Sequence, residues 1–193
     1  GARAMDEHFL AAPASENLPV LMALLGLWNI NFMGSPTHLV APYATALARL
    51  PAYLQQLEME SNGKRIHLDG TAVQYQTAPV VWGGLGIEGQ HAYFQLLHQG
   101  CHRVPTDFIA VRTDPTPLPL APEHHRQVLD NLQAQRLALA VGRDQANTHR
   151  ALIEQGLDAN TVAQMVPHRT YPGNTPSSVL WLDSMTPQHL GAL

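Results

Sequence analysis

The sequence predicts an α/β protein, a doubly wound parallel sheet flanked by helices. Three observations carry this reading. Short apolar runs recur at 37–43 (THLVAPY), 78–82 (APVVW), 104–112 (VPTDFIAVR) and 177–182 (SSVLWL), as strands buried on both faces of a parallel sheet do. Segments with helical spacing separate these runs. The turn after APVVW is rich in glycine, which favours a tight passage from strand to helix.

Taken in order, residues 1–12 pattern as a short amphipathic helix (Ala4, Met5, Phe9, Leu10) stopped at Pro13. Asn17 is placed to cap a second helix opening near Pro19, since proline is tolerated in a first turn. That helix contains VLMALLGLW (20–28) and reads as buried. After the strand at 37–43, residues 44–61 read as helical, interrupted by Pro51 and ended by the turn pair Asn62-Gly63. RIHL and TAVQY are further strand candidates. Beyond APVVW, EGQHAYFQLLHQ (88–99) reads as one helix closed by Gly100. The proline-rich tract TDPTPLPLAPE (113–123) reads as a loop or extended connector. Helices are expected from about Pro122 to Val141, over 145–155 and 159–165, and again from TPQHLGAL (186–193). Trp28, Trp82 and Trp181 lie in apolar runs and are expected in the core. The chain stops inside an apolar helical pattern, which reads as a fragment.

Composition excludes several classes. With 45% hydrophobic residues, the 193-residue chain is expected to be globular. A net charge of −4 and no basic cluster give nucleic acid no electrostatic purchase. No segment reaches the roughly 18 unbroken apolar residues of a membrane span. The single cysteine, Cys101, has no internal partner, which suits a reducing cytosol.

The glycine turn raises the first functional candidate. Gly84, Gly86 and Gly89 spell G-x-G-x-x-G between a strand and a helix, the dinucleotide-binding fingerprint. Against that reading, other elements precede the turn, and Glu88 would set a carboxylate beside the phosphates. A second constellation is Gln56, Glu60 and His91. Gln56 and Glu60 are four apart on a helix and therefore share a face. Glu60 sits in the last turn, where the macrodipole disfavours the carboxylate, the direction that suits a base working near neutral pH. His91 is expected in the first turn after the glycine loop, where the dipole favours a neutral ring. The bland alternatives are a solvated acid, a surface glutamine and a helix-start histidine bonded to backbone. His98, Cys101 and His102 are close in sequence, but Gly100 divides them and no fourth ligand completes a metal site.

QQLEMESNGK (55–64), VVWGGLGIEGQHAYFQLLHQG (80–100), VPTDFIAV (104–111), HRTYPGNTPSSV (168–179) and TPQHLGAL (186–193) resemble the glucose-6-phosphate isomerase family. GARAMDEHF and ENLPVLMALLGLWNINF (16–32) match it too, so the resemblance covers the whole chain in order. It implies an aldose–ketose isomerase interconverting glucose 6-phosphate and fructose 6-phosphate through a cis-enediol, without a cofactor or metal. It also implies that residues 1–193 are the C-terminal sugar isomerase domain, truncated at both ends, of a cytoplasmic homodimer. By resemblance Glu60 is the base, Gln56 contacts substrate, and His91 assists ring opening in the partner subunit's active site. The glycine turn would then aim a histidine instead of holding a pyrophosphate.

Two departures stand out. The family pattern W-G-E-P-G-T-N-G-Q-H appears here as W-G-G-L-G-I-E-G-Q-H, so Gly84 and Leu85 replace a glutamate and a proline. Cys101 and Thr106 stand where a threonine and often a cysteine are expected. The family's phosphate-binding loops, active-site arginine and ring-opening lysine have no counterpart in these residues, so the chain alone is expected to be inactive. A non-catalytic sugar-phosphate-binding domain is the alternative; such a domain would have no need of the intact Gln56, Glu60 and His91 set.

Overall fold

A computed structural model describes residues 1–114 and 118–193. Four parallel strands, β1 (Thr37–Pro42), β2 (Val80–Gly83), β3 (Thr106–Thr113) and β4 (Ser177–Ser184), lie in the order β2-β1-β3-β4. The register pairs Leu39 with both Trp82 and Thr106, and Phe108 with Val179. All four expected strands are present. The chain leaves β1 toward one edge of the sheet and β3 toward the other, so the winding reverses between these two central strands, as a doubly wound sheet requires.

Alternation along the strands builds a core on each face. Leu39, Ala41, Phe108 and Ala110 face Phe94, Leu97, Leu132 and Leu139. These come from the helices α5 (Phe94–Gln99) and α6 (Ala121–Val141). Val40, Val81, Ile109, Val111 and Leu182 point the other way and pack with Leu47, Leu50 and Leu54. The short helix α4 (Gly86–Gly89) follows β2, and α6, α7 (Gln145–Glu154) and α8 (Ala159–Arg169) connect β3 to β4. Asp144 and Asp158 cap α7 and α8 through their carboxylates. After β4 comes α9 (Pro187–Ala192). The proline tract expected as a connector lies partly outside the described residues.

The first two helices, α1 (Ala2–Ala11) and α2 (Leu18–Asn31), begin and end within a few residues of expectation. Asn17 is the cap foreseen, its side-chain oxygen accepting from the Val20 amide at 3.3 Å. Its amide also donates to the Phe9 carbonyl at 2.7 Å, tying α1 to α2.

Several expectations are corrected. The second helix is not buried: Ile30 alone of its residues is, and Trp28, assigned to the core, is 54% exposed. Trp82 and Trp181 are half-buried against the first core, with the Arg112 guanidinium 4.9 Å above the Trp181 ring. RIHL and TAVQY are not strands; only an isolated antiparallel bridge joins Ile66 to Ala72 around a turn at Gly70. This segment is solvated, with Ile66, Leu68 and Tyr75 exposed. β4 is half-buried because it is a sheet edge. EGQHAYFQLLHQ is broken into α4, a turn at 90–93 and α5.

Candidate active site

The segment after β1 was expected to be one helix broken by Pro51. Instead a 3-10 turn (Thr45–Leu47) leads into α3 (Leu50–Leu54), and Pro51 sits in its first turn, where a missing amide hydrogen costs nothing. From Gln55 to Glu60 the helix widens into a π-turn. Its hydrogen bonds span five residues in place of four, a rare geometry concentrated at functional sites. Gln56 and Glu60 both lie within it, about one turn apart and exposed. Gln55 anchors the widened turn to the sheet by donating to the Val81 carbonyl at 3.1 Å.

Beyond Glu60 the chain is locked. The Gly63 amide bonds to the Met59 carbonyl at 3.0 Å, and a Cβ on Gly63 would lie 2.2 Å from that oxygen. The Lys64 ammonium donates to the Glu60 carbonyl. The Lys64 amide donates to the Thr77 hydroxyl at 3.2 Å, and that hydroxyl returns a bond to the Lys64 carbonyl at 3.0 Å. The S-N-G-K sequence is thus a brace that fixes the end of the turn carrying Glu60.

His91 does not lie in a helix start as expected. It is exposed in the turn between α4 and α5, its amide bonded to the Glu88 carbonyl at 3.2 Å. The dipole argument made for it therefore does not apply. The glycines before it serve close packing. Gly83 has φ +146, and an added Cβ would stand 2.0 Å from the Val40 carbonyl oxygen; one on Gly86 would stand 1.9 Å from the Tyr43 ring. One on Gly89 would meet the Tyr93 ring at 2.6 Å, while Gly84 faces open space. Burial raises the hydroxyl pKa of Tyr43, and that of Tyr93 is raised by burial and then by the Glu88 charge. The turn is a packed corner: neighbouring protein atoms account for Gly83, Gly86 and Gly89, though not for Gly84.

Hydrogen bonds also locate the candidates relative to each other. Glu60 is linked through Lys64 to Thr77, three residues before β2 begins. His91 follows the other end of β2, where the Tyr93 hydroxyl reaches the Gly84 carbonyl at 3.4 Å. The chain thus sets Gln56 and Glu60 together and places His91 at the opposite end of the same strand.

Sequence reasoning missed a polar cluster on the strand starts. His38 of β1 pairs through Nε2 with the Asp107 carboxylate of β3 at 2.9 Å, and the Ser178 hydroxyl of β4 donates to the other oxygen. Burial pushes the Asp107 pKa up, but the bond and charge of His38 and the Ser178 hydroxyl outweigh it, so the net shift is downward. No spacing in the sequence links the three: they come from separate strands, and the register sets Val40, not His38, beside Asp107. The histidines weighed as metal ligands are not gathered: His98 packs on Phe94 and Tyr171 and bonds Gln135 at 2.7 Å. Among the described residues, no three His, Cys, Asp or Glu side chains are grouped to hold an ion. Nor is any described helix long and apolar enough to cross a membrane.

Comparison with known proteins gives a consistent result. The family model described as phosphoglucose isomerase matches residues 1–193. Glucose-6-phosphate isomerase 1 of Neisseria gonorrhoeae is 45% identical over 193 residues, and glucose-6-phosphate isomerase of Burkholderia ambifaria is 52% identical over 195. The match takes in 100% of this chain but 35% and 34% of those proteins, so the chain spans about a third of their length. The crystal structure of a glucose-6-phosphate isomerase from Chlamydia trachomatis superposes with a TM-score of 0.83 at 40% identity, over 99% of this chain and 34% of that one. A hypothetical protein from Thermus thermophilus, at 21% identity and a TM-score of 0.59, shares the fold alone. With the family model matching from the first residue to the last, the chain belongs to the phosphoglucose isomerase family.

Proposed function

We propose that this chain supplies the base and the ring-opening histidine of an enzyme interconverting glucose 6-phosphate and fructose 6-phosphate, as the C-terminal sugar isomerase domain of a cytoplasmic homodimer. The observation that carries the proposal is the braced π-turn, which presents Gln56 and Glu60 side by side to solvent in a family of named isomerases.

The chemistry follows from the groups. A hydrogen on the carbon next to a carbonyl is a weak acid, and a positioned carboxylate can remove it. Glu60 takes the C2 proton of open-chain glucose 6-phosphate; the bonding pair becomes the C1–C2 double bond, the carbonyl pair moves to O1, and O1 takes up a proton to complete a cis-enediol. The Glu60 carboxylic acid then returns its proton to C1 while O2 gives up its hydroxyl proton and becomes the ketone, so the base moves one proton from C2 to C1 and one proton passes, net, from O2 to O1. Gln56, a turn away, has an amide able to hold a substrate hydroxyl. His91 moves a proton between ring oxygen and hydroxyl during ring opening. Since His91 stands at the far end of β2 from Glu60, a complete site takes its histidine from the partner subunit in this reading.

The competing reading, a sugar-phosphate-binding domain without catalysis, has no use for the base. Isomerisation of fructose 6-phosphate by this chain, beside its Glu60→Gln variant, tests the proposal. The expected result is no turnover by the chain alone, because the family's phosphate anchors lie outside it. In a full-length relative, the equivalent Glu→Gln change should lower kcat by at least about 100-fold with the fold intact. Retained turnover there would remove Glu60 from its role.

A further inference from the structure

Among the described residues no side chain holds the Glu60 carboxylate; the Lys64 ammonium goes to the Glu60 main-chain carbonyl instead. Where the carboxylate stands is therefore set by the main chain beneath it, and a catalytic group has to be held to within about 0.5 Å of its working position. That main chain is the π-turn Gln55–Glu60, which has no buried residue. A rare backbone geometry that buries so little has scant apolar packing to keep it. Polar bonds have to do so.

Two sets of such bonds run from the turn to the start of β2. At its first residue, the Gln55 amide donates to the Val81 carbonyl at 3.1 Å. β2 is an edge strand, and the Val80 amide bonds inward to the Pro36 carbonyl, so the Val81 carbonyl one residue on faces the open edge. Gln55 satisfies it there. Just past the last residue of the turn, the Thr77 hydroxyl accepts from the Lys64 amide at 3.2 Å and donates to the Lys64 carbonyl at 3.0 Å. Lys64 in turn reaches back to Glu60. Both ends of the turn are thus clamped to residues 77–81.

We infer that Thr77 and Gln55 are positioning residues of the isomerisation. Neither touches the sugar. Thr77 fixes the Glu60 end of the turn through Lys64, and Gln55 fixes the Gln56 end through Val81. The inference rests on the role of base given to Glu60 in the proposed function.

The test uses a full-length relative carrying the corresponding residues, with glucose 6-phosphate deuterated at C2. Thr77→Val keeps the side-chain shape and removes the hydroxyl; Thr77→Ser keeps the hydroxyl. Thr77→Val should lower kcat at least about tenfold, and Thr77→Ser should stay within about twofold of the parent. The share of the C2 label delivered to C1 of the product is the second reading. A base held off its position returns its deuteron more slowly and loses more of it to water, so this share should fall at least about twofold in Thr77→Val. The share is set within the bound intermediate and does not change when fewer molecules are folded. Gln55→Met should lower kcat and also raise KM, because Gln56 follows it directly. Parent-like kcat in Thr77→Val, an equal loss in Thr77→Ser, or a lowered kcat with label transfer unchanged would overturn the inference. Glu60→Gln, run beside these, separates the two levels. Turnover retained there overturns the base role and this inference with it; turnover lost there but kept in Thr77→Val overturns this inference alone.

Discussion

At the scale of single residues, the glycine turn shows how one motif can be read two ways and then decided by atoms. G-x-G-x-x-G is a phosphate cradle when its amides face a ligand. Here Gly86 faces the Tyr43 ring and Gly83 faces the Val40 backbone. Gly86→Ala must displace a buried tyrosine whose hydroxyl is held by Asn131 at 3.1 Å. We expect it to cost about 1–3 kcal/mol in a urea melt, as overpacking does. Gly84→Ala, which meets nothing within 4 Å, should stay within about 0.5 kcal/mol of the parent. Equal costs at the two positions would show that the corner is not set by this packing. The motif was visible in the sequence; the packing behind it was not, because Tyr43 lies far off in the chain, just past the end of β1.

At the scale of elements, legibility followed local physics. Asn17, Asp144 and Asp158 cap their helices by bonds to neighbours two or three residues away, and the first of these was foreseen. The strands were found because apolar runs mark them. The π-turn escaped, since LQQLEME has the composition of an ordinary helix and the bond from Gln55 to the Val81 carbonyl joins residues far apart in the chain. RIHL (65–68) and TAVQY (71–75) were misread as strands because β-prone residues occur there, yet only Ile66 and Ala72 form a bridge. The exposure of α2 was invisible, since hydropathy reports what a helix prefers and not what covers it. His38, Asp107 and Ser178 join three strands by side chains that no spacing rule links. The carboxyl pKa of Asp107 is depressed on folding. Its stabilising contribution is therefore fully present above the ordinary aspartate range and is lost as pH falls through the folded value. Asp107→Asn should destabilise the chain by about 1–3 kcal/mol at neutral pH, with the gap to the parent closing on acidification toward pH ~3. Melting temperatures recorded across that range would refute the assignment if the gap were constant.

At the scale of the whole molecule, the placement of Glu60 and His91 decides what kind of assembly could work. Topology separates them by the length of β2, and the braces at each end are made within the chain. In the proposed function, a site using both groups at one sugar draws them from two chains. In a symmetric dimer each of two equivalent sites would pair Glu60 of one subunit with His91 of the other. The consequence is measurable in a full-length relative carrying the corresponding residues. Glu60→Gln and His91→Gln dimers should each be nearly inactive. Unfolding and refolding them together in equal amounts gives half heterodimers, in which one site holds both intact groups and the other holds neither. Activity should recover to about a quarter of the parent value. If both groups served from one subunit, every site in the mixture would lack one of them, and the mixture would stay as inactive as its parts.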